Sequence, residues 1–121
     1  MNNDELQSKF FKALMHPARL AILDILREGE ACVCHMEATL GYRQAYISQH
    51  LMVLRDVGLV EDHRDGWNVF YQVTKPEVFS VLDAARQLLG VPVSAGRPKP
   101  PDTCPCPHCQ KSSEAHPQIE A

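Results

Sequence analysis

The stretch from Gly41 to Val60, Gly-Tyr-Arg-Gln-Ala-Tyr-Ile-Ser-Gln-His-Leu-Met-Val-Leu-Arg-Asp-Val-Gly-Leu-Val, constrains this chain more than any other. It begins and ends on glycine helix stops, and the second stop runs into a strand. Between them Ile47, Leu51 and Leu54 recur at i, i+4 and i+7, which makes one face of a helix apolar. The other face carries Gln44, Ser48, Gln49 and Arg55. A helix that buries one side and offers hydrogen-bonding side chains on the other is what reading a DNA major groove requires.

The flanking segments supply the rest of a small domain. Leu6, Phe10 and Leu14 are spaced by four and predict a short amphipathic helix. Pro17 sits near the start of a second helix, where its missing N–H costs little, and Gly29 ends it. Val33, Met36 and Leu40 continue at helical spacing to Gly41, so a short third helix and the long helix from about Arg43 to Val57 form a helix-turn-helix. A strand from Leu59 to Arg64, an Asp65-Gly66 turn and a return strand with Trp67, Val69, Tyr71 and Val73 predict a β-hairpin wing. Pro76 then starts a last helix with Val78, Val81, Leu82, Ala85, Leu88 and Leu89 on one stripe. One domain of this size cannot cover both that stripe and the first helix, which predicts a homodimer. The expected fold is mainly α with a small β-hairpin, a dimeric winged helix-turn-helix over residues 1–90.

Beyond Gly90 the composition changes. Seven of the nine prolines lie between Pro92 and Pro117, so residues 91–121 read as a flexible tail whose asset is its cysteines. No apolar run approaches the ~20 residues of a membrane span, and the polar, acidic start does not resemble a signal peptide. A cytoplasmic protein with no membrane partner is expected, and there five cysteines point to ligation or redox chemistry rather than structural disulfides. A net charge of −3 argues mildly against nucleic-acid binding, so pattern must carry that reading.

Three runs together resemble the ArsR/SmtB family of metal-responsive winged-helix repressors. They are Phe11 to Leu23, Ala31 to Met36, and Ser48 to Val60, completed by Arg64-Asp65-Gly66 and Tyr71 in the wing. The resemblance covers roughly Leu6 to Leu89. It implies a dimer that binds double-stranded operator DNA and releases it when an inducer binds, and not an enzyme. It also implies that Cys32-Val33-Cys34 matches the inducer ligands of the arsenic- and cadmium-responsive branch. Two positions depart from that branch: His35 stands where Asp is usual, and Glu37 where some arsenic sensors have a third Cys. The last helix, Glu77 to Leu89, contains no His, so the family's zinc site on that helix is not expected.

Residues two apart on a regular helix point about 200° apart, so Cys32 and Cys34 can share one ion only if the backbone near Ala31 to Val33 is extended or unwinds. Two thiolates do not close a site. Three suit As(III) or Sb(III), the preferred inducers; four suit Cd(II), Pb(II) or Zn(II), the alternative. The missing ligands are sought among Cys104, Cys106 and Cys109, since the 15 residues from Leu89 to Cys104 can span up to roughly 50 Å. A further alternative is a redox or persulfide sensor with a disulfide between Cys32 or Cys34 and the tail. Cys106-Pro107-His108-Cys109 has the form of a thiol-exchange motif but lacks the βαβ unit in which such motifs act. His35 and His108 adjoin cysteines and could add nitrogen. On the DNA face, Gln44, Ser48 and Gln49 suit base edges or phosphates, and Arg43 suits phosphates. His50 is assigned either to a phosphate or to a local network, and Arg64, at the wing tip, to a minor-groove or phosphate contact.

Overall fold

The computed structural model describes residues 1–92. Five helices and three strands follow the order α1 (Asn3–Leu14), α2 (Pro17–Leu26), β1 (Ala31–Cys32), α3 (Val33–Leu40), α4 (Gln44–Asp56), β2 (Val60–Asp65), β3 (Asn68–Val73) and α5 (Glu77–Leu89). The first three helix starts have local causes. Asn2 Oδ1 accepts from the Glu5 N–H at α1. At α2, Pro17 opens the first turn, and His16 Nδ1 accepts from the Ala18 N–H. At α3 the cap is a sulfur: Cys32 Sγ accepts from the His35 N–H at 3.3 Å.

α4 ends in a Schellman turn. The Leu59 N–H reaches Leu54 O and the Gly58 N–H reaches Arg55 O, with Gly58 at φ 78°. That reversal sends the chain directly into β2. The hairpin pairs β2 with β3 from Val60↔Val73 to Asp65↔Asn68, which makes the loop Gly66-Trp67. The turn thus lies one residue later than the Asp65-Gly66 expectation. Gly66 at φ 64° takes the first loop position, as a type II′ turn asks, and Asp65 closes the ladder. Trp67 is consequently a turn residue, not part of the return strand.

The sheet has a third member that periodicity did not show. β1 pairs antiparallel with β3 through Ala31↔Tyr71 and Cys32↔Phe70, giving the order β1-β3-β2. Its two sides do different things. Tyr71 and Val73 pack against the main core, while Phe70 is buried with Cys32 and touches Cys34 on the other side.

The main core gathers Ile22, Leu23, Ile25 and Leu26 of α2, Met36 of α3, Ile47, Leu51 and Leu54 of α4, and Leu59 and Val60. Val78 and Leu82 of α5 belong to it as well. The last point corrects the expected dimer stripe: Val78 and Leu82 are covered within one chain. On the first and last helices, apolar groups left in water include Val81, Leu88 and Leu89 of α5 and Leu6, Phe11 and Met15 on or beside α1. α5 is held down by charge too. Arg86 reaches both carboxylate oxygens of buried Asp24 at 2.8 and 3.3 Å, and Arg27 grips Asp83 at 2.9 and 3.0 Å while lying over the Phe79 ring.

Candidate DNA interface and thiol pair

The polar side of α4 forms the first candidate surface. Gln44 and Gln49 are exposed and Ser48 is half-buried, while Ile47, Leu51 and Leu54 are sealed in the core. Arg43 is the exposed N-cap of α4, and no side chain caps that end. The first-turn N–H groups are therefore free of competition for an anion, and the helix dipole favours one there. Tyr42 and Tyr46 flank the same end, edge to face at 5.0 Å and both partly exposed. Sequence reasoning passed over this pair, although its i, i+4 spacing on the exposed side was legible.

His50 takes the second of its two assigned roles. One position beyond Gln49 it lies about 100° further round the helix, beside Ile47 and Leu54, and is only 8% exposed. Its Nδ1 accepts from Arg19 Nε at 3.1 Å, and its ring stands 4.3 Å from His16 and 4.6 Å from Tyr46. Arg19 also donates to Lys12 O and Ala13 O. This cluster pins the end of α1, the start of α2 and the middle of α4 together. Burial, then the neighbouring His16 and Arg19, push the His50 pKa down. The imidazole thus serves as a clamp that holds α4 against the α1–α2 junction.

Arg55, on the outer side of α4, pairs with Asp62 of β2 at 3.3 Å. That contact ties the wing to the helix. Arg64 is exposed near the wing tip, opposite Val69.

The second candidate site is Cys32 with Cys34. Cys32 is extended, with φ −86° and ψ 163°, and Cys34 is the second residue of α3. This is the backbone condition under which both sulfurs can face one point, and they do: they are joined as a disulfide, with Cα atoms 5.3 Å apart. The expectation of free thiols differs from this closed pair because the strand-to-helix step at residue 32 turns the two side chains toward each other. Cys32 is buried and Cys34 half-buried.

Two lines of contacts lead away from the pair. One runs along α3, through Met36 in the core and the turn at Gly41, to α4. The other crosses the sheet. Cys32, Phe70 and His63 are successive partners across β1, β3 and β2, the His63 ring stacks on Phe70 at 5.6 Å, and His63 Nε2 meets Glu30 at 3.3 Å. Among the described residues, no group of three or more His, Cys, Asp or Glu is placed to hold a metal ion. Cys104, Cys106 and Cys109 lie outside the described residues.

Known proteins agree with this architecture. Residues 16–62 match the model of the bacterial regulatory protein, arsR family. The HTH-type transcriptional regulator Rv0081 of Mycobacterium tuberculosis (strain ATCC 25618 / H37Rv) is 37% identical over 86 residues, spanning 70% of this chain and 75% of that one. The chain belongs to the ArsR family. The crystal structure of M. tuberculosis Rv0081 superposes with a TM-score of 0.67 at 35% identity, covering 74% of this chain and 91% of that one. The biofilm growth-associated repressor of Agrobacterium fabrum (strain C58 / ATCC 33970) is 36% identical over 81 residues, 67% of this chain and 69% of that one. A homodimeric winged helix-turn-helix DNA-binding domain from Mycobacterium bovis, Mb0332, gives a TM-score of 0.61 at 31% identity, over 71% of this chain and 79% of that one. This ArsR-family chain is therefore a DNA-binding transcriptional regulator and not an enzyme. No helix among the described residues is long and apolar enough to cross a membrane.

Proposed function

We propose that this regulator is a homodimeric repressor whose hold on operator DNA depends on the chemical state of Cys32 and Cys34. The observation that carries the reading is the convergence of the two sulfurs at the start of α3, the helix that leads into the DNA-facing α4. Relatives named as repressors support the direction of control. α4 would enter the major groove with Gln44, Ser48 and Gln49 toward base edges and Arg43 toward a phosphate, and Arg64 would reach the backbone or minor groove from the wing.

The preferred inducer is As(III) or Sb(III). Reduced, the pair offers two soft donors aimed at one point, which suits a thiophilic trivalent ion. A third sulfur would come from Cys104, Cys106 or Cys109; two tail sulfurs would complete a tetrahedral Cd(II), Pb(II) or Zn(II) site. Inducer held at this point would draw on Cys32 Sγ, which caps α3 through the His35 N–H, and would lie beside Phe70, so it would load both α3 and the sheet. An inducer lowers DNA affinity only by preferring the DNA-incompetent state, typically by about 1–3 kcal/mol.

A second reading has its own observation, the closed Cys32–Cys34 bond. In it a peroxide-class oxidant takes two electrons and two protons from the thiols and is reduced to alcohol and water, leaving the disulfide. This differs from the bond to the tail expected from the sequence.

Fluorescence anisotropy of operator DNA tests both. Arsenite added to reduced protein should release DNA, and Cys32→Ser or Cys34→Ser should bind DNA but ignore arsenite. Release by peroxide alone, with arsenite inert, would replace the first reading by the second. Gln44→Ala with Ser48→Ala should weaken specific binding by about 1–3 kcal/mol per lost base contact. Unchanged affinity in that double variant would remove α4 as the reading helix.

A further inference from the structure

The wing ends on an unusual residue. Trp67 is 99% exposed, and it is the sole tryptophan of the chain. It is held there by rigid means. Six consecutive pairs join β2 to β3, and Gly66 at φ 64° closes the hairpin in two residues, so the indole is presented about 20 Å along the ladder from the core end. A large, rigid apolar side chain kept wholly in water by a tight turn is available for contact.

The charge around it says what kind of contact. The hairpin carries Glu61, Asp62 and Asp65 against Arg64. Asp62 is occupied by Arg55, and Glu61 accepts from Gln72 Nε2 at 2.6 Å, but Asp65 stands beside the turn. Such a tip is poorly suited to hold phosphate by charge. The minor groove offers another mode, since its walls are sugars and apolar side chains wedge into it. The position fits this partner. β2 follows α4 after one Schellman turn, and Arg55, which lies within about 20° of Gln44 and Ser48 round the helix, ties the wing to that side of α4.

We infer that Trp67 is the wing's principal DNA contact, packing its indole into the minor groove beside the segment read by α4. The inference rests on the operator-binding reading above and makes Arg64 the lesser of the two tip residues. It gives the wing affinity that does not depend on counterion release, in a protein whose net charge of −3 leaves little electrostatic attraction to draw on.

The test uses the full chain and a duplex recovered from genomic fragments by selection with the unaltered protein. With one tryptophan, emission reports the wing tip alone. Saturating duplex should quench that emission and shift it to the blue in step with anisotropy. Trp67→Ala should bind at least roughly tenfold more weakly, the loss expected when a stacking or wedging aromatic is removed. Its log–log salt slope should match that of the unaltered protein, because no phosphate contact is lost. Trp67→Phe should recover most of the affinity.

Affinity within twofold in Trp67→Ala would overturn the inference. So would a salt slope reduced by about one, which would mark a phosphate contact instead. Emission that follows protein concentration and ignores DNA would assign Trp67 to a protein contact and also overturn it. If selection recovers no duplex, the operator reading falls first and takes this inference with it; if the duplex binds and Trp67→Ala is silent, only this inference falls.

Discussion

Arg86→Leu should be among the most damaging single changes outside the core. The Asp24 side chain is 3% exposed and is met by Arg86 at 2.8 and 3.3 Å. Leucine keeps much of the aliphatic packing but withdraws both charge-assisted bonds. The next guanidinium, that of Arg27, is 3.7 Å away and already engaged with Asp83. Removing one partner of a buried pair costs about 3–5 kcal/mol; Arg86 is itself 19% exposed, so the low end, about 3 kcal/mol, applies. For a domain of this size each kcal/mol moves Tm by roughly 4–8 °C, which predicts a fall of about 12–24 °C. Urea titration followed by far-UV circular dichroism would measure the loss, at one protein concentration because the proposed dimer would contribute to apparent stability. The companion change Asp24→Leu in the same chain should restore most of the stability, since no buried charge then remains at position 24. A loss under about 1 kcal/mol in the single variant, or no recovery in the double, would refute the argument that a desolvated carboxylate governs this contact.

Two further outcomes follow from the exposed helix faces and the buried imidazole. Leu88 and Leu89 are 88% and 74% exposed, so Leu88→Glu with Leu89→Glu should leave the fold intact by circular dichroism yet yield monomers by sedimentation; persistence of the dimer would place the interface elsewhere. His50 has a lowered pKa, so near the ordinary imidazole value of about 6.5 the unfolded chain takes up a proton that the folded chain refuses. Stability should therefore be full above that pH and decline as pH falls through it. His50→Gln should flatten this part of the pH profile in urea titrations, and an unchanged slope would assign it to other groups.

Local chemistry made much of this molecule legible in its sequence. The apolar spacing of Ile47, Leu51 and Leu54 specified α4, Pro17 and Gly29 bounded the helix before the thiols, and the return strand β3 showed by alternation. These signals are short-range: a helix face, a cap or a turn is set within a few residues. What the sequence left undecided depends on partners far apart along the chain. β1 is two residues long and has no periodicity of its own; it is a strand because Phe70 and Tyr71 arrive beside it. The same arrival fixes the extended backbone at Cys32 and lets its sulfur face Cys34, the condition that spacing alone could state but not decide.

His50 and Asp24 show the same division. His50 lies at the border of the apolar stripe, and only the positions of Arg19 and His16 turn it inward to become a clamp. Asp24 sits among Leu23 and Ile25 and finds Arg86, 62 residues away, only once α5 has folded back. The stripe with Val78 and Leu82 points to an interface in the sequence and is interior in the fold, because a stripe records that a face is apolar and not which surface covers it. The covering surface is α2 and its neighbours, and that assignment is made by the packing of the whole domain, where burial of apolar area is shared among elements that no local pattern connects.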